Sequence, residues 1–124
     1  MVNNLYSFGY ENKSFYDFKE LVHDAYIIDV RFMPNSYVAF WKQKFLQQDF
    51  KDDYVHIKEL GNINYNNKKQ IKINDIEVGT KKLLELLEKK DCVMLCKCLD
   101  YNVCHQKVIG DYLKEKHEIE VTRL

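Results

Sequence analysis

The stretch "AYIIDVRF", residues 25–32, decides how the rest of the chain is read. It is almost continuously apolar and β-branched as far as Asp29, and Pro34, the only proline, stops it. A strand with one wet face alternates apolar and polar residues; a strand covered on both faces runs apolar throughout. The pattern therefore predicts a buried parallel strand, whose sheet needs helices on both faces.

Working outward, the chain supplies them. Residues 5–10 form a short apolar and aromatic run containing Gly9, which suits an earlier strand. Asn12, Lys13 and Ser14 offer a helix cap, and Phe15, Phe18, Leu21 and Val22 then recur at helical spacing. Residues 37–50 predict an aromatic-rich helix, and residues 54–60 a third strand closed by Gly61. The asparagine-rich segment 62–74 reads as a long loop and as the most mobile part of the chain. Residues 75–90 set Ile76, Leu83, Leu84, Leu86 and Leu87 against a charged side and predict the clearest helix, although Gly79 can delay its start to Thr80. "CVMLCKC", residues 92–98, is a fourth strand, residues 103–116 an amphipathic helix, and "EIEVTRL", residues 118–124, a fifth strand. This alternation predicts an α/β fold: a single three-layer domain over residues 1–124, with a mostly parallel sheet of about five strands flanked by helices.

Composition narrows the function classes. An apolar fraction of 46% with 14% aromatics is that of a chain with a packed core rather than a disordered one. Lys plus Arg and Asp plus Glu are each 19, so the formal charge is zero and no global nucleic-acid footprint exists. No run approaches the roughly 18 apolar residues of a membrane span, and the start of the chain lacks the basic and apolar regions of a signal peptide. The expectation is a cytoplasmic protein with reduced cysteines.

Arginine is confined to Arg31 and Arg123, while lysine and asparagine abound, so Arg31 stands out. In an open parallel sheet, ligands bind beyond the carboxyl ends of the strands. There the sequence gathers Gly9, Tyr10 and Asn12 after the first strand, and Asp29 and Arg31 after the second. It adds His56, Glu59 and Gly61 after the third, and Cys96, Cys98, Cys104, His105 and Gln106 around the fourth strand and the helix that follows.

Each has a plain and a chemical reading. Cys104 and His105 open a helix, where the dipole and unpaired amides favour a thiolate or a bound anion; otherwise Cys104 is a small buried hydrophobe and His105 a cap. Asp29 and Arg31 share a strand face, and either pair internally or leave Arg31 to hold an anion through its planar fork of donors. His56 and Glu59 suit acid–base work, or His56 is a satisfied half-buried histidine. Cys92 reads as core. Zinc would draw on Cys96, Cys98, Cys104 and His105, and Cys96 and Cys98 can enter one site only if the strand has ended by Lys97. Because the Cys-x-Cys, five residues, Cys-His spacing is not a standard zinc spacing, the sequence assigns no metal ligands and no cofactor, with zinc on these four residues kept as the minority reading.

Four ordered blocks carry a family resemblance: "YSFGYENKSFYDFKELV", "IIDVRFMPNS", "YVHIKELGN" and "VMLCKCLDYNVCHQKVIGDYL". They resemble the DUF488 family, whose members read Y-T-I-G-H-S, then D-V-R-x-x-P, then Y-x-H-x-x-x-L-G-G, then L-L-C-x-E-x-x-x-x-x-C-H-R. The resemblance implies an α/β fold and a shared site at Gly9, Asp29, Arg31, Pro34, His56, Leu60, Gly61, Cys96, Cys104 and His105. It implies no activity, since the family is named for its unknown function. The chain departs from the pattern at Tyr10 (usually histidine), Glu11 (serine), Asn62 (glycine), Cys98 (glutamate) and Gln106 (arginine).

Two function classes follow. One is a Cys/His-dependent transferase or hydrolase in which Cys104 or Cys96 is the nucleophile, His105 or His56 the base and Arg31 the anion holder. Its substrate would be a small anionic, nucleotide-like molecule. A rhodanese-like sulfurtransferase, with its cysteine cradled in the loop between Cys98 and Cys104, is the narrower form. The other class does not turn over: a ligand-sequestering protein, favoured by the departures from the pattern, or a zinc-stabilised interaction module.

Overall fold

The structure, a computed structural model, describes residues 3–65, 70–98 and 100–124. Residues 66–69 of the expected loop, and Leu99 between Cys98 and Cys104, lie outside the described residues.

Five strands form one all-parallel sheet. They are β1 (Leu5–Gly9), β2 (Tyr26–Asp29), β3 (Tyr54–His56), β4 (Cys92–Cys96) and β5 (Val121–Arg123), in spatial order β3-β2-β4-β1-β5. Four helices connect them: α1 (Phe15–Leu21), α2 (Gln43–Phe50), α3 (Ile76–Leu87) and α4 (His105–His117). No helix among the described residues is long and apolar enough to cross a membrane.

Strand alternation divides the apolar residues between two cores. Ile28, Cys92, Met94 and Cys96 face one side, packed with Leu83 and Leu87 of α3 and Ile109 and Leu113 of α4. Ile27, Val93 and Leu95 face the other, packed with Phe15 and Phe18 of α1, Leu46 of α2 and Trp41. This is why residues 25–32 and 92–98 carry no polar alternation: both of their faces are covered. The second core is aromatic, with Phe8, Phe15, Phe18 and Trp41 in ring contact at centroid distances of 4.6–6.2 Å.

Several boundaries differ from expectation. The third strand ends at His56, because residues 58–60 turn into a short 3-10 segment. The helix expected over 37–50 is α2 alone, preceded by a 3-10 turn over Ala39–Trp41. α3 starts at Ile76 rather than Thr80, since Asp75 caps it by accepting from the Val78 amide. Gly79 is therefore helical, and its missing Cβ makes room for Leu60. Inside the 62–74 segment, Asn62 and Ile73 form an antiparallel bridge.

The connections position the site. From β1 the chain runs through α1 to β2, on one side; from β4 it runs through α4 past β1 to β5, on the other. β1 and β4 are neighbours whose onward chains diverge, and such a switch point opens a crevice at the strands' carboxyl ends.

Candidate functional site

The crevice is bounded by backbone that follows β1 and β4. Pairing continues past both strands, with the Tyr10 amide donating to the Cys96 carbonyl at 3.0 Å and the Glu11 amide to the Lys97 carbonyl at 3.1 Å. The two chains press so closely that a Cβ on Gly9 would collide with the Cys98 carbonyl, and only glycine fits. On the facing wall, a Cβ on Gly61 would strike the backbone of Phe32.

β4 ends at Cys96, which frees Cys98 from the sheet's alternation. The Sγ atoms of Cys96, Cys98 and Cys104 and a ring nitrogen of His105 all lie within 4.8 Å of one another. Cys96 Sγ and Cys104 Sγ are 3.1 Å apart, and Cys104 Sγ is 3.9 Å from His105 Nδ1. Cys96, Cys104 and His105 are buried, whereas Cys98 is half-buried. Cys104 is the N-cap of α4, its sulfur accepting the Gln106 amide at 3.5 Å. Gln106 is fully buried, and its Nε2 donates to the Phe8 carbonyl at 3.1 Å and to Cys96 Sγ at 3.0 Å.

These contacts set the protons. Hydrogen bonds from Cys104 and Cys96, aided by His105, outweigh burial and lower the Cys98 thiol pKa below the usual thiol range. Burial pushes the Cys96 thiol well up, and the Cys104 contact adds to it. Burial works against a charged His105, but hydrogen bonds to Cys104 and Cys98 win and raise its pKa to about 9. Sequence reasoning placed the nucleophile at Cys104 or Cys96; Cys98, the residue that replaces the family's glutamate, is the third sulfur of the same cluster and the one whose thiol pKa is lowered. Substitution of an acid by an acidifiable thiol was the available signal.

Two imidazoles grip consecutive carbonyls. His105 Nε2 donates to the Val30 carbonyl at 2.8 Å, and His56 Nε2 to the Arg31 carbonyl at 2.7 Å. His56 thus anchors the chain leaving β2. Glu59 is turned to Lys82, with a 2.6 Å ion pair; that hydrogen bond lowers its pKa.

Arg31 is committed internally. Its Nε donates to Asp29 Oδ1 at 2.8 Å, one terminal nitrogen to Asp29 Oδ2 at 2.6 Å and the other to the Trp41 carbonyl at 2.7 Å. Burial opposes its charge, but the hydrogen bond and attraction from Asp29 raise its pKa beyond the ordinary arginine value. Tyr54 Oη donates to Asp29 Oδ2 at 2.5 Å. Of the two readings open at this pair, the internal one is present.

Two adjoining cavities occupy the crevice. The inner one, about 170 Å³, has Cys96, Cys98 and His105 in its wall with Tyr10, Phe32 and Tyr65. The outer one, about 620 Å³, is lined by residues including Asn12, Lys13, Ser36 and Trp41, and the two share Tyr10, Met33, Asn35, Tyr65 and Lys97. The structure thus brings Tyr10, Arg31, Cys96 and His105 together at the inner cavity and Asn12 at the outer one. Gly9 and Gly61 act through backbone approach, Cys104 and Gln106 through the cluster. Glu59 stands apart from both cavities.

A family model described as a domain of unknown function, DUF488, matches residues 11–113. The chain belongs to the DUF488 family. No curated protein and no solved structure matches it. Every DUF488 motif block contributes to this one edge of the sheet: the β1 and β4 ends form the crevice, and the second and third blocks brace its far wall.

Proposed function

We propose that this DUF488 protein binds a small anionic, nucleotide-like molecule in the crevice, with Cys98 and His105 at its inner end. The observation that carries the reading is the coincidence of a ligand-sized cleft with a switch point of a parallel sheet. The outer cavity alone falls within the roughly 300–1,000 Å³ of small-molecule sites. Its lining suits a flat ligand with a charged end. Tyr65 is 46% exposed and offers a ring face for stacking. Lys97, in the wall of both cavities, has no ion-pair partner among the described residues; Asn35 adds an amide. Arg31, neutralised by Asp29, shapes the wall rather than supplying the charge.

The test is a calorimetric titration against nucleoside mono- and diphosphates and the matching uncharged nucleosides. Charged members are expected to bind more tightly. Tyr65→Ala should lose about 1–3 kcal/mol of a stacking interaction, and Lys97→Glu should erase the preference for charge. Equal, unmeasurable binding across the set would reject the reading.

A second reading, turnover by thiol chemistry, is favoured by the half-buried Cys98 sulfur in the cavity wall beside His105, where hydrogen bonds lower its thiol pKa. Selective iodoacetamide labelling of Cys98, blocked by a bound ligand, would support it; labelling only after unfolding would count against it.

A further inference from the structure

We propose that Cys96, Cys98, Cys104 and His105 hold one zinc ion in a tetrahedral site. The inference is independent of the ligand reading above, since it is tested with no ligand present.

The candidate ligand atoms of the four side chains converge on one another. Three sulfurs and a ring nitrogen lie within 4.8 Å of each other. Cys92 shows the contrast: it is equally buried, and its sulfur points to the Lys90 carbonyl at 3.6 Å. Zinc–sulfur and zinc–nitrogen bonds of about 2.3 and 2.0–2.1 Å place tetrahedral ligand atoms about 3.5–3.8 Å apart. The 3.1 Å pair must open by about 0.7 Å or less, and the widest separation must close by no more than about 1.3 Å. Cys98 lies beyond the last residue of β4, so it can adjust without disturbing the sheet.

The ligand set selects the metal. Three soft sulfurs and an imidazole, with no carboxylate among them, match zinc rather than magnesium or calcium. An outer layer is already built. His105 Nε2 donates to the Val30 carbonyl, which leaves Nδ1 turned to the sulfurs as the ligand atom. The Gln106 amide and Nε2 donate to Cys104 and Cys96, the kind of N–H support that tempers thiolate charge at a metal. Three thiolates and one zinc leave a net charge of minus one, which the N-terminus of the thirteen-residue α4 favours. The unusual spacing of the motif is resolved by topology: β4 supplies one ligand, the chain just past it a second, and the N-cap and first residue of α4 the other two.

The experiment is metal analysis of protein purified under reducing conditions, followed by cobalt substitution. One zinc per chain is expected in native mass spectrometry. The cobalt form should show the intense visible bands of a tetrahedral ion and thiolate-to-cobalt charge transfer. Cys98→Ser, at a half-buried position that tolerates it, should weaken zinc by more than the roughly 10–100-fold that loss of an outer-layer partner costs. Cys92→Ala should leave the cobalt spectrum unchanged. A metal-free chain whose melting temperature ignores added zinc and which gives no cobalt–thiolate absorption overturns the proposal. So does a Cys98→Ser protein with the full spectrum. Neither result bears on whether the cleft binds nucleotides.

Discussion

Asp29 carries more of the architecture than its size suggests. It is fully buried, takes two hydrogen bonds from the Arg31 guanidinium, one from the Arg31 amide and one from Tyr54, and its partners are themselves sheltered from water. Replacing it with asparagine keeps the shape but leaves the Arg31 charge without a counter-ion. Breaking such a buried pair costs about 3–5 kcal/mol, so Asp29→Asn should move the urea midpoint sharply downward. The pair replaced together, Asp29→Asn with Arg31→Met, should recover part of the loss, because no charge is then stranded. Recovery would be visible as a higher midpoint than the single variant; its absence would mean that Arg31's bonds to the Asn35 and Trp41 carbonyls dominate. The sequence made Asp29 and Arg31 partners in principle through their shared strand face. What it left open was whether Arg31 was spent internally, since that depends on Trp41 and Asn35 folding back over it.

At the scale of elements, the strands were the legible part. Unbroken apolar runs can be satisfied only between two helical layers, so β2 and β4 announced a covered sheet. Boundaries set by tertiary contacts were less legible. Gly79 read as a break near the start of α3, yet Asp75 supplies a cap that starts the helix earlier and the glycine makes space for Leu60. Gly79→Ala therefore sets two effects against each other. Helix propensity gains about 1 kcal/mol, while a new Cβ would sit 2.6 Å from buried Leu60 atoms. Overpacking in a filled core costs about 1–3 kcal/mol, so the net expectation is destabilisation, read as a lower thermal midpoint. The double variant with Leu60→Ala should not suffer the same clash. The cluster was half-legible for a similar reason: all four of its residues stood in the motif, but their convergence required β4 to stop at Cys96.

At the scale of the molecule, the crevice and the aromatic core are joined through Tyr10, whose ring stacks on Trp41 at 4.9 Å while lining both cavities. Trp41 is the only tryptophan, so its emission reports on that junction alone. Filling the cleft should shift Trp41 fluorescence in a saturable way, with the same midpoint as calorimetry, and Tyr65→Ala should move both curves together. The family match and the all-parallel sheet agree with what the sequence implied about class; the division of the strand ends between cleft, brace and cluster came only from the order in which the strands lie.

That order also governs how the chain can be made. The neighbours of β1 are β4 and β5, and among the described residues no earlier strand pairs with it. While a ribosome has delivered only the first ninety residues, β2 and β3 can meet, but β1 has no strand to join and both of its edges stay unpaired. The centre of the sheet must wait for β4, and the crevice with it, so premature release or a stalled ribosome would leave a sticky fragment for chaperones and proteases to clear.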